Sequence, residues 1–300
     1  MKQTFLVTGS TGSTGRATVR NLLERGASVR AFVHREDERS EALHSLGAEV
    51  VVGNLLDFAS VRSALDGVDG AYFVYPILPG ILQVTSYFAQ AAKEVNLKVV
   101  VNMSQLSARR EAKSHAAQDH WIAEQVFNWS AIPVTHLRPT LFAEWALYWA
   151  KQIKTGVLAL PFGTGRHAPI AAEDQARVIT EILLKPAEHL GKVYPLYGEK
   201  EYTFAEITAE IGKVLGQPLE YRQIDAFHLK ALATGAAAGE HEGTLEKRAD
   251  DTLWQHFQEI AVDHQNGIFA GTDNVVERIT GKAPISLPEF LRQNIASLKR

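Results

Sequence analysis

The sequence predicts an α/β fold, a doubly wound parallel sheet carrying a smaller C-terminal lobe. Three observations predict it. First, the apolar run Phe5-Leu6-Val7-Thr8 passes directly into Gly9-Ser10-Thr11-Gly12-Ser13-Thr14-Gly15, then into a stretch with Ala17, Val19, Leu22 and Leu23 on one helical face and Gly26 as its stop. Second, short β-branched runs alternate with helical stretches, joined by short turns, as far as the strand at 192–197, as expected of strands buried on both faces. Third, the character changes near Tyr202, where a change of layer begins.

Strand, glycine turn and helix in that order form the phosphate-binding opening of a Rossmann-type domain. Gly9 allows the tight turn, Gly12 lets backbone approach a pyrophosphate, and Gly15 lets helix and strand pack closely. The N–H groups of Thr11, Ser13 and Thr14 lie in the same loop, at a helix start whose dipole favours an anion.

The second strand, 28–33 (SVRAFV), ends in His34-Arg35. An NAD-binding chain places an acidic residue there, about 20 residues past the glycine loop, to hold the ribose 2′-hydroxyl. A guanidinium instead matches the charge and fork geometry of a 2′-phosphate, so the position predicts NADP(H) over NAD(H). The third strand, 49–53 (EVVVG), is followed by Asn54-Leu55, where the Asn54 side chain can meet an adenine edge. The fourth, 70–75 (GAYFVY), stops at Pro76; a helix over 81–96 leads to the fifth, 97–102 (LKVVVN), and to Met103-Ser104. In such sheets ligands sit beyond the carboxyl ends of the strands, which draws Tyr75, Pro76, Met103, Ser104 and Pro139 toward the site.

A helix over 118–129 and a sixth strand over 134–137 precede Arg138-Pro139. Phe142, Trp145, Tyr148 and Trp149 then form an aromatic cluster at helical spacing, either core or the wall of a pocket for a flat substrate; Phe142, Trp145 and Trp149 are the substrate candidates. Residues 157–163 read as a loop, 173–184 as an amphipathic helix and 192–197 (KVYPLY) as the final strand. Thr203 caps a helix over 204–215 stopped by Gly216, and 287–298 reads as a terminal helix. The stretch 231–242 is the least patterned of the chain. The expected division is 1–140 with 171–198 for the dinucleotide, and 141–170 with 199–300 for a substrate lobe.

With 300 residues, 46% of them hydrophobic, the chain can bury a sizeable core. The 31 Lys and Arg nearly balance 34 Asp and Glu, so no bulk field points to nucleic acid or an anionic membrane. No stretch approaches the roughly 18 apolar residues of a membrane span. The first residues read as a core strand and not as a secretory leader. There is no cysteine, which excludes disulfides and thiolate chemistry, and the histidines lack carboxylates at ligand spacing, so no metal is expected. The expectation is a cytoplasmic monomer or homodimer.

The motifs carry a family resemblance. Val7 to Gly15 (VTGSTGSTG), His120 to Glu124 (HWIAE), VTHLRP, KVYPLYG, YTFAEI and LGQPLEY, in that order, resemble an NmrA-like atypical short-chain dehydrogenase/reductase over nearly the whole chain. The sequence is similar to the NADPH-dependent quinone oxidoreductases and triphenylmethane reductases of that family. The resemblance implies NADP(H) binding, with a small lobe over the nicotinamide.

It also exposes a departure. The wider superfamily carries Tyr-x-x-x-Lys on the helix before the sixth strand; counting back from Arg138-Pro139, those positions hold Ala116 and His120. The Ser position after the fifth strand is kept, as Ser104. Lysine lowers the tyrosine pKa into a usable range, and alanine has no proton to offer, so alcohol dehydrogenation or sugar epimerisation by that route is not expected. Hydride addition to a quinone yields a phenolate-type oxygen with a pKa of about 10, which needs little acid assistance. His120 is then the candidate donor to the substrate oxygen or the nicotinamide ribose, expected to titrate near neutrality. The predicted activity is hydride transfer from NADPH to a quinone or similar conjugated acceptor; the alternative is a non-catalytic NADP(H)-sensing regulator acting through a protein partner.

Overall fold

The computed structural model describes residues 2–226, 228–229 and 251–299. Seven strands form one parallel sheet in the order β3-β2-β1-β4-β5-β6-β8, namely β1 (Thr4–Val7), β2 (Ser28–Val33), β3 (Glu49–Val52), β4 (Gly70–Phe73), β5 (Val100–Met103), β6 (Val134–Pro139) and β8 (Val193–Leu196). β1 lies between β2 and β4, pairing Phe5 with Val29 on one side and with Gly70 on the other. The chain therefore reverses its winding direction beside β1, and the crevice above the ends of β1 and β4 is the switch point.

Alternate residues of each strand serve opposite layers, as the two-residue period requires. Phe5, Val7, Tyr72 and Val101 pack with Val19 and Leu22 of α1 (Ser13–Glu24) and with Val178, Ile179 and Ile182 of α8 (Ala172–Leu184). Leu6, Ala71, Phe73 and Val100 face α3 (Phe58–Leu65), α4 (Ile81–Glu94) and α5 (His115–Trp129), where Phe73, Phe88 and Phe127 form an aromatic group. Asp37 caps α2 (Glu38–Ser45) with a capping box.

A third core fills the lobe above the strand ends. It joins α6 (Trp145–Tyr148), α7 (Ala150–Lys154), α9 (Phe204–Leu215), α10 (Asp251–Gln265), α12 (Leu287–Gln293) and α13 (Ile295–Lys299) to β7 (Val157–Leu160) and β9 (Glu220–Gln223). Thr203 and Gly216 end α9 as expected, Thr203 in a capping box with Glu206 and Gly216 at φ 71°. Residues 157–160 are not loop: they form β7, paired in parallel with β9 from Val157↔Glu220 to Leu160↔Gln223. Four residues are too few for alternation to be read, and their partner lies beyond α8, β8 and α9. The terminal helix is likewise two helices, parted at Asn294. Val275 and Val276 of α11 (Val275–Thr280) return to the sheet, packing in the layer of α1 and α8. The stretch 231–242 lies outside the described residues.

Candidate functional site

The glycine loop leaves β1 at the switch point. Gly9 has φ 57°, the left-handed region that favours glycine, and its carbonyl accepts from Gly12 N at 3.0 Å. Gly15 packs so closely beneath it that a Cβ there would lie 2.2 Å from the Gly9 carbonyl oxygen. Gly12 is different: it sits at the N-cap of α1 with φ −78° and ψ 170°, an ordinary extended conformation on an exposed surface. Ser10 Oγ donates to Phe32 O, and Thr8 ties the loop to Val74 through both O–H and N–H bonds. The first turn of α1 holds no acidic residue and no side-chain cap. Thr11, Ser13 and Thr14 thus border a helix start with neither an acidic first turn nor a side-chain cap, the arrangement that receives a phosphate.

His34 and Arg35 follow β2 on the exposed rim of the same crevice, with Arg35 Nε 3.9 Å from Asp37 Oδ2. Hydrogen bonds from Arg39 and the α2 cap hold the Asp37 carboxyl down at about 2. Asn54 follows β3 and is exposed; its Oδ1 accepts from Leu56 N at 2.9 Å, which fixes the turn and leaves its amide N–H groups for a ligand. Leu55, half-buried, borders Asn54.

Where β4, β5 and β6 end, a cavity of about 330 Å³ opens beneath the lobe. Tyr75, Pro76, Met103, Ser104, Pro139, His120, Phe142 and Trp145 all line it. Among the described residues, none that lines it is Asp, Glu, Lys or Arg. Ser104 is buried, anchored by its N–H to Leu137 O at 2.8 Å, and its Oγ has no partner among the described residues. An orphaned buried hydroxyl on a cavity wall is a place for a ligand atom.

Two expectations are corrected here. Trp149 does not line this cavity. It is buried in the lobe, where it borders a gap of about 20 Å³ among Leu158, Leu160 and Phe204. Trp145 and Trp149 share helical spacing, but α6 ends at Tyr148, and the chain turns at Trp149 before α7. His120 does line the cavity, yet it does not titrate near neutrality: burial, reinforced by His256, pushes its pKa down to about 4. At pH 7 it is a neutral imidazole.

The other wall comes from a part of the chain expected to belong to the substrate lobe, in which no residue was singled out for the site. Leu253, His256, Phe257 and Ile260 of α10 face the cavity. Their i, i+3, i+4, i+7 spacing is legible as an apolar helical stripe, although what it faces is not. Gln105, Thr140, Tyr148 and Phe269 complete the lining together with apolar neighbours. His136 and His167 are held in buried pairs away from it, His136 between Asn102 and Asn128, His167 against His264 at 2.9 Å. Among the described residues no group of three or more His, Cys, Asp or Glu is placed to hold a metal, and no helix is long and apolar enough to cross a membrane.

The chain is 28% identical over 296 residues to the NAD(P)H azoreductase of Xenophilus azovorans, covering 98% of both chains. It is 27% identical over 250 residues to quinone oxidoreductase 2 of Escherichia coli, covering 82% of this chain and 86% of that one. The crystal structure of the Escherichia coli NADPH-dependent quinone oxidoreductase with NADPH superposes with a TM-score of 0.83 at 22% identity, over 97% of this chain and 99% of that one. That of Citrobacter sp. triphenylmethane reductase with NADP(H) gives 0.81 at 20% identity, over 96% and 99%. The model of the NmrA-like family matches residues 1–248, and with a glycine loop at the switch point of a parallel sheet, this chain belongs to the NmrA-like family.

Proposed function

We propose that this protein is an NADPH-dependent oxidoreductase that reduces a quinone or a similar flat, conjugated acceptor. The observation that carries the proposal is the cavity: about 330 Å³, walled mainly by apolar and aromatic side chains and, among the described residues, by no charged one, at the carboxyl ends of β4, β5 and β6. Such a pocket favours a neutral aromatic molecule and excludes ionic ones, which would lose hydration without a partner. Relatives named for reducing azo compounds and quinones agree with that substrate class.

The residues present fit the dinucleotide. The uncapped start of α1 and the loop from Gly9 to Gly15 would hold the pyrophosphate, Arg35 and His34 the 2′-phosphate, and Asn54 with Leu55 the adenine. NADPH supplies the hydride when bound. The protein's own work is to orient and to exclude water. Tyr75, Pro76, Met103 and Pro139 form the wall nearest the sheet, and Phe142 and Trp145 press on the acceptor from the lobe. Ser104 Oγ and the neutral His120 offer hydrogen bonds to the oxygen on which charge develops. Neither is an acid at pH 7, and Ala116 contributes none. A quinone needs none, because its product oxygen has a pKa of about 10 and takes its proton from water.

In this reading residues 1–140 and 171–198 bind the dinucleotide, while 141–170 and 199–300 cover the acceptor, apart from the return of Val275 and Val276 to the sheet. The protein works in the cytoplasm as a monomer or homodimer, without nucleic acid. Steady-state NADPH oxidation with a panel of quinones and azo compounds is the test. Acceptor-dependent oxidation supports the reading; NADPH binding without oxidation by any acceptor would favour the regulator.

A further inference from the structure

Among the polar residues of the cavity wall, a second histidine stands opposite His120. His256 stands on α10, its ring among the cavity's lining residues, and its Nδ1 lies 2.7 Å from Ser114 Oγ. Ser114 is fully buried and is also the N-cap of α5, where its Oγ accepts from Ala117 N at 3.1 Å. A backbone N–H can only donate, so that contact uses a lone pair of the hydroxyl. The hydroxyl proton then has a single partner among the described residues, His256 Nδ1. Were Nδ1 protonated instead, two donors would face one oxygen and the serine proton would be buried without an acceptor. Nδ1 therefore accepts. Burial holds the His256 ring neutral, its pKa pushed down to about 4, so its one proton sits on Nε2. Nε2 has no hydrogen-bond partner among the described residues and is not among their sealed, unpartnered polar atoms.

The position of the ring is fixed as firmly as its tautomer. Gln255 accepts from His115 N at 3.0 Å and donates to Lys113 O at 2.9 Å, and Arg109 grips Asp263 two turns along the same helix. The donor is preorganised by the protein before any ligand arrives.

We propose that His256, locked by Ser114 in its Nε2–H form, donates a hydrogen bond to a neutral acceptor atom of the bound substrate, selecting carbonyl, quinone or azo compounds over hydrocarbons of the same shape. The proposal rests on the reading of this cavity as the substrate site. It assigns Ser114 as a positioning residue that never touches the substrate. A charged donor would also hold carboxylates; a neutral imidazole confined to one tautomer holds only an acceptor that brings little desolvation cost.

Two measurements test it. Long-range 1H–15N spectra of the wild type, with His256 assigned by its loss in His256→Phe or His256→Gln, report the tautomer directly. The Nε2–H form is expected, with conversion to a mixture in Ser114→Ala; an Nδ1–H form in the wild type would overturn the proposal. Calorimetric titration in the presence of NADP+, which cannot reduce a quinone, compares naphthoquinone with naphthalene. His256→Phe is expected to weaken naphthoquinone by about tenfold and naphthalene by less than about twofold. His256→Gln, whose amide N–H reaches close to the position of Nε2, is expected to restore naphthoquinone to within about threefold. Equal losses for both ligands, unchanged affinity for both, or no naphthoquinone binding by the wild type would each overturn it. If the Phe variant does not fold, the wild-type tautomer and the Gln variant decide. A wild type that binds naphthoquinone through Nε2–H but never oxidises NADPH would overturn the reductase reading and leave this proposal standing. The chain has no cysteine for the quinone to alkylate, so binding is measured without that side reaction.

Discussion

The Arg109 guanidinium donates both ends of its fork to the Asp263 carboxylate, at 2.8 and 2.6 Å, across 154 residues of chain. This pair ties the loop between β5 and α5 to α10, alongside the bonds of Gln255 and His256 to the same segment. Asp263 has 8% of its side chain exposed and Arg109 30%, so the pair is stronger than a surface contact and weaker than a fully buried one. Asp263→Ala should cost about 1–3 kcal/mol in urea unfolding and weaken acceptor binding more than NADPH binding. A cost under about 0.5 kcal/mol would place the pair among solvated contacts that hold nothing.

The glycines of the first loop should separate by experiment. Gly12→Ala has a compatible backbone and meets only Gly9 O at 3.3 Å, so circular dichroism and melting should stay near wild type while dinucleotide affinity falls. Gly15→Ala must displace backbone at 2.2 Å and should lose both affinity and stability. Wild-type NADPH affinity in Gly12→Ala would make that position structural.

Arg35 should distinguish the cofactors. Arg35→Ala should weaken NADPH by roughly 1–2 kcal/mol and leave NADH nearly unchanged, the lower part of the charge-assisted range because its side chain is 58% exposed and Asp37 competes for it. Equal losses for both cofactors in a binding titration would remove Arg35 from the 2′-phosphate site.

His120→Ala should lower hydride transfer to quinones by about tenfold at saturating NADPH, with little change in NADPH affinity. With a pKa of about 4, His120 should impose no pH dependence on that step above about pH 5. Its effect on stability has a definite sign. The folded pKa lies below the ordinary 6.5, so the unfolded chain binds the proton first; stability is full above 6.5 and falls as pH drops toward 4, by up to about 1.4 kcal/mol per pH unit for this proton. His120→Ala should flatten that slope by one proton in pH-dependent urea titrations.

Glu144 should act in the opposite sense. It is buried, its Oε1 accepts from Ala172 N at 3.0 Å, its Oε2 has no partner among the described residues, and burial pushes its pKa up to about 7. A raised carboxyl pKa means stability that is present below about 4.5 and lost as pH rises through 7. Glu144→Gln keeps the acceptor without the charge. It should match wild type at pH 4.5 and be more stable at pH 8 by roughly 2–3 kcal/mol in urea unfolding; no gain at pH 8 would show that the carboxylate is solvated.

Elements whose cause is local are legible in the order of residues. Fifteen residues encode the first strand, the left-handed turn at Gly9 and the Gly15 contact, because each is a demand on backbone conformation or on the absence of a Cβ. The strand ends could be counted from the same pattern, which brought Ser104, Tyr75 and Pro139 to the cavity, and counting also found alanine where a tyrosine acid would stand. The remainder depends on which distant segments the fold brings together. Trp145 and Trp149 are four residues apart and alike in kind; the break between α6 and α7 puts one on the cavity and the other in the lobe core. His120 reads as a neutral-pH titrator until α10 buries it beside His256. Ser114 and His256 are 142 residues apart, and no period or composition joins them. Local chemistry is written along the chain, whereas burial, tautomer and pKa belong to whatever the fold sets against a side chain, and here that is a helix arriving from the far end of the sequence.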